Sequence, residues 1–205
     1  MRIRVVGWSA VLVDCGTPDE VEAWRATLHR AREAGALSAT EIVPGAGTVL
    51  LDGVPDPDAL AAELSTWPPP VAGPPVGAAP PEVLIPVVYG GEDLPRVAGL
   101  WGVSVAEAVR RHHDREYRVA FCGFAPGFGY LTGLPPHLSV PRLATPRPRV
   151  PAGSVGLAGR YTGVYPGASP GGWLLIGRTD AVLFDVDADP PARLAPGATV
   201  RFEPA

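Results

Sequence analysis

The sequence is poor in cysteine, and this limits the covalent and metal chemistry that it suggests. Cys15 and Cys122 are the only cysteines in 205 residues, and neither forms a CxxC pair or lies in a His/Cys cluster. A disulfide framework is therefore not expected, and neither is a structural zinc site or any other metal site. The pattern predicts two buried, free thiols in a cytoplasmic protein.

Long apolar runs and a basic excess are missing as well. No stretch approaches the roughly 18 uninterrupted apolar residues of a membrane-spanning helix. Asp14 interrupts the first apolar run early and no small-residue cleavage site follows, so we do not expect a signal peptide. The net charge is −4, whereas a surface that binds nucleic acid normally needs a basic excess. Membranes and nucleic acids are thus not the expected partners.

The sequence contains no Walker loop and no GxGxxG between a strand and a helix. ATP, if it binds, therefore uses another architecture or a partner protein. Ser154 and Ser169 lie in Gly-bounded turns, where backbone N–H groups are placed to face an anion. Neither serine has the base and the orienting acid of a hydrolase triad nearby in sequence, so a serine nucleophile is not expected.

Residues 1–67 predict a small α+β domain of the ferredoxin-like type. Strands are predicted at 2–7, 10–15, 41–43 and 48–51, and helices at 18–34 and 56–66. Thr17 and Glu20 have the spacing of a capping box at the start of the first helix. Residues 68–82 are dense in proline and lack periodicity, which predicts an extended linker at a domain boundary.

Residues 83–205 predict a compact β-barrel domain. A strand is expected at 83–89, where Pro86 favours an edge position. A short helix follows at 92–100, and Ser104 with Glu107 predicts a capping box at the start of the next one. After Glu116 the pattern is one of short strands between Gly/Pro turns. These include strands at 173–176, 181–186 and 199–202.

The stretch Phe121–Thr179 carries the candidate site residues. Arg142, Arg147, Arg149 and Arg178 stand on stiff Gly- and Pro-rich loops, and guanidinium groups suit bidentate binding of phosphate or carboxylate. The alternative is that they tie loops to backbone carbonyls or to the acids at 185 and 187. His112, just before this stretch, is a candidate for proton transfer, or it caps the end of its helix.

Aromatic residues accompany these arginines. Phe128, Tyr130, Tyr165 and Trp173 are candidates to line a pocket or a subunit interface. For Trp173, and for Phe124, the barrel core is the favoured position.

Three segments closely resemble the family of the 5-oxoprolinase B subunit, also called KipI or allophanate hydrolase subunit 1. They are GFAPGFGYL (123–131), PR followed by VPAGSVGLAG (146–159) and TGVYPGASPGGWLLIGRT (162–179). IPVVYGGEDL (85–94) and LAPGATVRF (194–202) are also similar. The family usually has Asp where this chain has Gly90, and Ser where it has His113. The functional histidine is therefore either His112 or His113.

The resemblance implies an α+β N-terminal domain followed by a cyclophilin-like β-barrel of the carboxyltransferase subdomain C and D type. It implies a subunit, inactive alone, of a complex that opens 5-oxo-L-proline to L-glutamate with ATP hydrolysis. The partners would be a KipA-like C subunit and an A subunit, and ATP, with or without Mg²⁺, would be held here or by the partner. One route phosphorylates the lactam oxygen before water adds, with arginines stabilising the developing charge.

Within that activity, His112, Arg147 and Arg178 are the expected catalytic residues. The residues expected at a substrate or an interface are Phe128, Tyr130, Arg142, Arg149, Ser154, Tyr165, Ser169 and Trp173. The same resemblance leaves two alternatives, a KipI-like inhibitor of a sporulation histidine kinase and an allophanate hydrolase subunit. The amidase Ser-Ser-Lys machinery expected of the latter is not visible.

Overall fold

The computed structural model describes residues 2–70 and 82–205. The chain divides into two compact units, Met1–Pro80 and Pro81–Ala205. Most of the predicted linker at 68–82, namely residues 71–81, lies outside the described residues. None of the helices in the described ranges is long and apolar enough to cross a membrane.

The first unit combines a four-stranded antiparallel sheet with two helices. The elements are β1 (Arg2–Val6), β2 (Ala10–Asp14), α1 (Pro18–Glu33), β3 (Glu41–Pro44), β4 (Thr48–Asp52) and α2 (Pro57–Leu64). The strands lie in the order β1-β2-β4-β3. This chain order, β-β-α-β-β-α, differs from the ferredoxin-like β-α-β-β-α-β because one strand stands at the start instead of the end.

The core of the first unit lies between the sheet and the helices. Val11 and Val13 of β2, and Val49 and Leu51 of β4, are fully buried at alternate positions, as the two-residue period of a strand requires. They share one cluster with Leu28 of α1. Burying an aliphatic side chain of this kind completely stabilises the fold by about 1.5–3 kcal/mol.

Two of the predicted helix caps can be compared with the structure. The Thr17 box is confirmed, because Thr17 Oγ1 accepts from Glu20 N–H at 3.2 Å and the Glu20 carboxylate accepts from Thr17 N–H at 3.3 Å. Ser104 Oγ likewise accepts from Glu107 N–H at 3.2 Å. The Glu107 carboxylate does not accept a hydrogen bond from the Ser104 N–H, because it is paired with Arg110 and Arg111.

The second unit is built around a closed barrel of seven strands, which confirms the predicted barrel. Its elements are β5 (Glu82–Tyr89), α3 (Leu94–Leu100), α4 (Val105–His113), β6 (Glu116–Cys122), β7 (Gly129–Thr132), a 3₁₀ turn (Pro136–Leu138), β8 (Arg147–Val150), β9 (Ser154–Ala158), β10 (Tyr161–Val164), β11 (Ser169–Gly171), β12 (Leu174–Arg178) and β13 (Thr199–Pro204). The barrel order is β10-β7-β6-β13-β5-β12-β9, and β8 pairs with β11 separately.

The predicted edge position of β5 is wrong. β5 is a strand of the barrel wall with a neighbour on each side: it is parallel to β13 and antiparallel to β12. β12 pairs only with Val88 and Tyr89, so Pro86 lies outside that ladder. Its missing N–H therefore removes no hydrogen bond on that side.

The strand predicted at 181–186 is also wrong. This segment contains a single bridge, between Phe184 and Ala192, and no ladder. Val182 and Val186 are exposed, whereas Leu183 is buried. The apolar run therefore supplies one core residue and otherwise stays on the surface.

The two cysteines are free, as expected, but they are half-buried and not fully buried. Burial raises the pKa of the Cys15 thiol to about 11 and also raises the pKa of Cys122. Both thiols therefore stay protonated at neutral pH and are poor nucleophiles.

Candidate functional site

An open cleft of about 300 Å³ lies beside the end of β5 and contains two of the predicted site residues. Ser154 and Arg178 line it from β9 and β12, and Glu92 lines it from the turn that follows β5. Most of its wall is apolar and includes Val88 and Leu175. Its volume is at the small end of the roughly 300–1,000 Å³ that ligand pockets usually have.

The turn after β5 is fixed to β12 by its own backbone. The N–H groups of Gly90 and Gly91 donate to the Ile176 carbonyl at 3.2 and 3.0 Å, and Asp93 N–H donates to the Leu175 carbonyl at 2.9 Å. A side chain at position 91 would collide with the Leu175 carbonyl, so this close approach requires glycine. These backbone contacts of the Gly-Gly-Glu-Asp turn hold Glu92 at the cleft.

The guanidinium of Arg147 is held by other groups of the same chain. Its Nη2 donates to Asp93 Oδ2 at 2.7 Å, its Nε lies 2.5 Å from Glu92 Oε1, and its Nη1 donates to the Trp173 carbonyl at 3.1 Å. Asp93 Oδ2 also accepts from Leu175 N–H at 2.7 Å. Of the two roles considered from sequence, anion binding and loop fixation, these contacts favour loop fixation for Arg147.

Arg178, in contrast, is available to a ligand. Its side chain is 67% exposed, and its acidic neighbour Asp180 lies 3.6 Å away and is 98% exposed. A pair so open to water is worth little and is readily exchanged for a ligand. Beside it, Ser154 Oγ donates its proton to the Pro151 carbonyl at 2.8 Å, so this hydroxyl can only accept a further hydrogen bond.

His112 is fully buried and does not line the cleft. Burial lowers the pKa of His112 to about 3, so the ring is neutral at physiological pH. Its Nε2 lies 3.0 Å from Thr162 Oγ1, which itself donates to the Gly156 carbonyl at 3.2 Å. A hydroxyl has one proton, so Nε2 is the donor, and Nδ1 accepts from Tyr89 Oη at 2.7 Å.

His113 lies in a different environment. Its Nδ1 is 3.1 Å from the carboxylate of Asp114 at the end of α4, on the surface. Tyr89 is a cleft residue, and its hydroxyl is held by His112. Of the two histidines, His112 is therefore the one with a hydrogen-bonded connection to the cleft.

The predicted aromatic residues form a second cluster next to the barrel core. Phe128, Tyr165 and Trp173 are buried there, and Tyr130 is partly buried against them. Phe128 meets Trp173 edge to face at 5.3 Å. Phe124, expected in the core, is instead 59% exposed and has a left-handed backbone with φ of 70°, which a non-glycine residue rarely adopts.

Ser169 lies in β11, away from this cleft's lining. The segment Gly167–Gly171 fits the pattern GxSxG letter by letter. However, a nucleophile elbow is a strand-to-helix turn with an exposed hydroxyl. Ser169 Oγ is buried and has no hydrogen-bond partner within the described part of the chain, so the elbow geometry is missing.

Arg142 and Arg149 are exposed and lie outside the lining of this cleft. Burial raises the pKa of the Tyr130 hydroxyl, and the nearby charge of Arg142 opposes this rise. Arg142 therefore lies near the aromatic cluster. Within residues 2–70 and 82–205, no group of three or more His, Cys, Asp or Glu side chains is placed to hold a metal ion.

Sequence reasoning missed the residues that organise the cleft. Glu92 and Asp93 bind Arg147, Tyr89 reaches His112, and Thr162 fixes the ring's protonation. The Gly-Gly-Glu-Asp turn directly after a strand was the available signal. Nothing in the sequence pairs it with an arginine 54 positions later.

The sequence is similar to curated proteins of known name. It is 55% identical over 123 residues to the B subunit of 5-oxoprolinase from Escherichia coli O157:H7, a match that covers 58% of this chain and 56% of that protein. It is 49% identical over 123 residues to the B subunit of 5-oxoprolinase from Bacillus subtilis, covering 58% and 51%. The chain thus spans about half the length of these relatives.

Solved structures resemble the fold over nearly the whole chain. The uncharacterized protein PH0987 of Pyrococcus horikoshii is 34% identical with a TM-score of 0.58, and the match covers 99% of this chain and 97% of that one. TTHA0988 is 33% identical with a TM-score of 0.77, covering 97% and 40%. Urea amidolyase of K. lactis shares the fold at a TM-score of 0.68 and 18% identity, covering 99% and 15%.

A family model supports the same assignment. The model described as carboxyltransferase domain, subdomain C and D, matches residues 1–194. Because this match includes both structural units and nearly every strand of the barrel, the chain belongs to the family of carboxyltransferase domains of the subdomain C and D type.

Proposed function

We propose that this chain is a subunit of an ATP-dependent 5-oxoprolinase complex, which opens 5-oxo-L-proline to L-glutamate. The observation that supports this most directly is that three curated relatives, 49–55% identical over 121–123 residues, are each named as the B subunit of 5-oxoprolinase. The barrel, in this proposal, is of the cyclophilin-like type and the first unit is its α+β companion domain. The protein acts in the cytoplasm.

The cleft is the part of this chain that takes the lactam. 5-Oxo-L-proline is a small ring with one carboxylate, and a mostly apolar cleft of about 300 Å³ with one free arginine has matching size and chemistry. Arg178 binds the carboxylate through charge-assisted hydrogen bonds. The apolar wall from Val88, Pro151 and Leu175 packs against the ring.

The described residues fit a triphosphate less well. Arg178 is the one guanidinium among the residues that line the cleft, and Glu92 places a negative charge there as well. Phosphate oxygens need several cations or a nest of free backbone N–H groups. ATP, with or without Mg²⁺, is therefore bound mainly by a partner protein of the complex, and this chain supplies the lactam site.

The other predicted catalytic residues act through neighbours. Arg147 holds Glu92 and Asp93 in place and so positions the turn that forms the cleft wall. His112 is neutral and buried, and it orients Tyr89 instead of transferring a proton to a reactant. Arg142 and Arg149 are exposed and contribute to the barrel surface that meets a partner, whereas Phe128, Tyr165, Trp173 and the Ser169 hydroxyl are buried.

The partners in this proposal are a KipA-like C subunit and an A subunit. This chain covers only 40% of TTHA0988, so in that protein a domain like this one is joined to further chain. The kinase-inhibitor and allophanate alternatives gain no specific support. The likeness to urea amidolyase, at 18% identity, concerns the fold alone.

The test is ADP release by this chain, alone and mixed with candidate partner proteins, with and without 5-oxo-L-proline. We expect turnover only in the complete mixture and only with the lactam. Arg178→Gln is expected to raise the KM for 5-oxo-L-proline about tenfold, because a charge-assisted contact is lost. Arg160→Gln removes an exposed arginine outside the cleft lining and is the matched control, with KM within about twofold of the unmodified protein.

Three results would count against the proposal. They are an inert mixture, ATP hydrolysis that is indifferent to the lactam, and an unchanged KM for Arg178→Gln. High affinity of the isolated chain for a histidine-kinase dimerisation domain, together with an inert mixture, would favour the inhibitor function instead.

A further inference from the structure

The two charged side chains of the cleft have opposite sign and come from different segments of the chain. Glu92 belongs to the turn after β5 and Arg178 to the end of β12. Both are mostly exposed, at 62% and 67%. A ligand with a single charge satisfies only one of them.

The charges around Glu92 do not cancel. Arg147 is one guanidinium, but it binds two carboxylates, those of Glu92 and Asp93. Asp93 is buried and its Oδ2 takes both Arg147 Nη2 and the Leu175 N–H. This cluster therefore has one negative charge in excess, and the exposed carboxylate of Glu92 is where a ligand can reach it.

The guanidinium of Arg178 is paired only weakly. The acid beside Arg178 is Asp180, which is 98% exposed and 3.6 Å away, so water screens this pair. The cleft thus offers a carboxylate from the turn after β5 and a guanidinium from β12. Both project from a site whose backbone is fixed by the hydrogen bonds of the turn to β12.

Both charged side chains are attached near the same part of β12. The turn residues that flank Glu92 are hydrogen-bonded to Leu175 and Ile176, and Arg178 lies two residues further along β12. Because both side chains line the same cleft of about 300 Å³, both can contact one small molecule in it.

We propose that the cleft binds a zwitterionic α-amino acid, with Arg178 on a carboxylate and Glu92 on the ammonium group. This inference rests on the proposed function, because ring opening converts a lactam without a cationic group into L-glutamate, which has an ammonium group. Glu92 is then a specificity-determining residue that favours the opened product over the closed ring. L-Glutamate is accordingly an inhibitor that competes with 5-oxo-L-proline for this cleft.

The test is a set of ligands titrated into the full chain by calorimetry. L-Glutamate has the ammonium group, glutarate has the same carbon chain without it, and 5-oxo-L-proline is the closed ring. The unmodified chain is expected to bind L-glutamate about tenfold more tightly than glutarate, the effect of one charge-assisted contact. Equal affinity for the two would overturn the inference without any variant.

Two substitutions then separate the charges. Glu92→Gln keeps the side-chain shape and an oxygen for Arg147, and it should weaken the binding of L-glutamate about tenfold relative to that of glutarate and of 5-oxo-L-proline. Arg178→Gln should weaken all three. Glu203→Gln, an exposed acid outside the cleft lining, is the matched control and should change none. Equal weakening of L-glutamate and 5-oxo-L-proline in Glu92→Gln, or an unchanged affinity of this variant for L-glutamate, would overturn the inference.

The outcomes are distinguishable from failure of the proposed function. A mixture that turns over the lactam but shows no Glu92-dependent binding or inhibition by L-glutamate overturns this inference alone. An inert mixture in which the chain still binds L-glutamate through Glu92 overturns the proposed function and leaves an amino-acid site. In an active mixture, Glu92→Gln should raise the ratio of the inhibition constant of L-glutamate to the KM for the lactam about tenfold.

Discussion

Replacing Asp93 with alanine is expected to lower the free energy of unfolding by about 3 kcal/mol. One oxygen of Asp93 accepts two hydrogen bonds of 2.7 Å, from Arg147 Nη2 and from Leu175 N–H. A buried donor without an acceptor costs about 1–3 kcal/mol, and breaking a buried ion pair costs about 3–5 kcal/mol. The lower part of this range applies, because Arg147 keeps its contacts to Glu92 and to the Trp173 carbonyl.

The matched control is Glu92→Ala, which removes an acid from the same arginine. The Glu92 side chain is 62% exposed, whereas that of Asp93 is 10% exposed. An exposed pair contributes less than about 1 kcal/mol, so this variant should stay close to the unmodified chain. Urea unfolding followed by tryptophan fluorescence measures both, and the thermal midpoint of Asp93→Ala should fall by roughly 6–12 °C. Equal losses in the two variants would refute the assignment of stability to the buried acid.

Two further predictions concern His112 and the glycine turn. Between pH 6 and 4 the unfolded chain protonates His112, at a pKa near 6.5, while the folded chain does not, because burial lowers the folded pKa to about 3. The free energy of unfolding should therefore fall by about 1.4 kcal/mol per pH unit on acidification in this range. In urea titrations of His112→Gln, the slope of the free energy of unfolding against pH should be shallower by that amount. Equal slopes in the two proteins would contradict the neutral, buried ring. Gly91→Ala should cost at least about 2 kcal/mol in the same assay because of the Leu175 carbonyl, whereas Gly99→Ala in α3, with open space around it, should gain about 0.5–1 kcal/mol. Similar stabilities of these two variants would show that the close approach is not required.

The local signals in the sequence predicted the elements well. The box of Thr17 and Glu20 predicted the start of α1, and the Gly/Pro punctuation after Glu116 predicted short strands. Those features depend on residues a few positions apart. The parallel pairing of β13 with β5 joins segments more than a hundred residues apart, and no local pattern specifies it. The edge position predicted from Pro86 was wrong for this reason.

The candidate site shows the same division. The arginines were recognisable as candidates, but the sequence could not tell which of them is free, since Arg147 finds its buried acid 54 residues earlier in the chain. His112 was recognisable as a titratable residue at a helix end. Its burial, and hence its low pKa, comes from the barrel that closes around it. The exposed position of Phe124 likewise depends on a left-handed turn that the sequence Gly-Phe-Ala-Pro-Gly does not specify for phenylalanine.

The internal contacts decide which residues can respond to a ligand. An anion that approached Arg147 would have to displace a buried carboxylate, an exposed carboxylate or a carbonyl, and each displaced group would then lack a partner. An anion at Arg178 displaces only a contact that water already screens. Binding an anion therefore costs less free energy at Arg178 than at Arg147. Arg147 instead keeps Glu92 in position. Substitutions at Arg147 should therefore change stability and binding together, and substitutions at Arg178 should change binding alone.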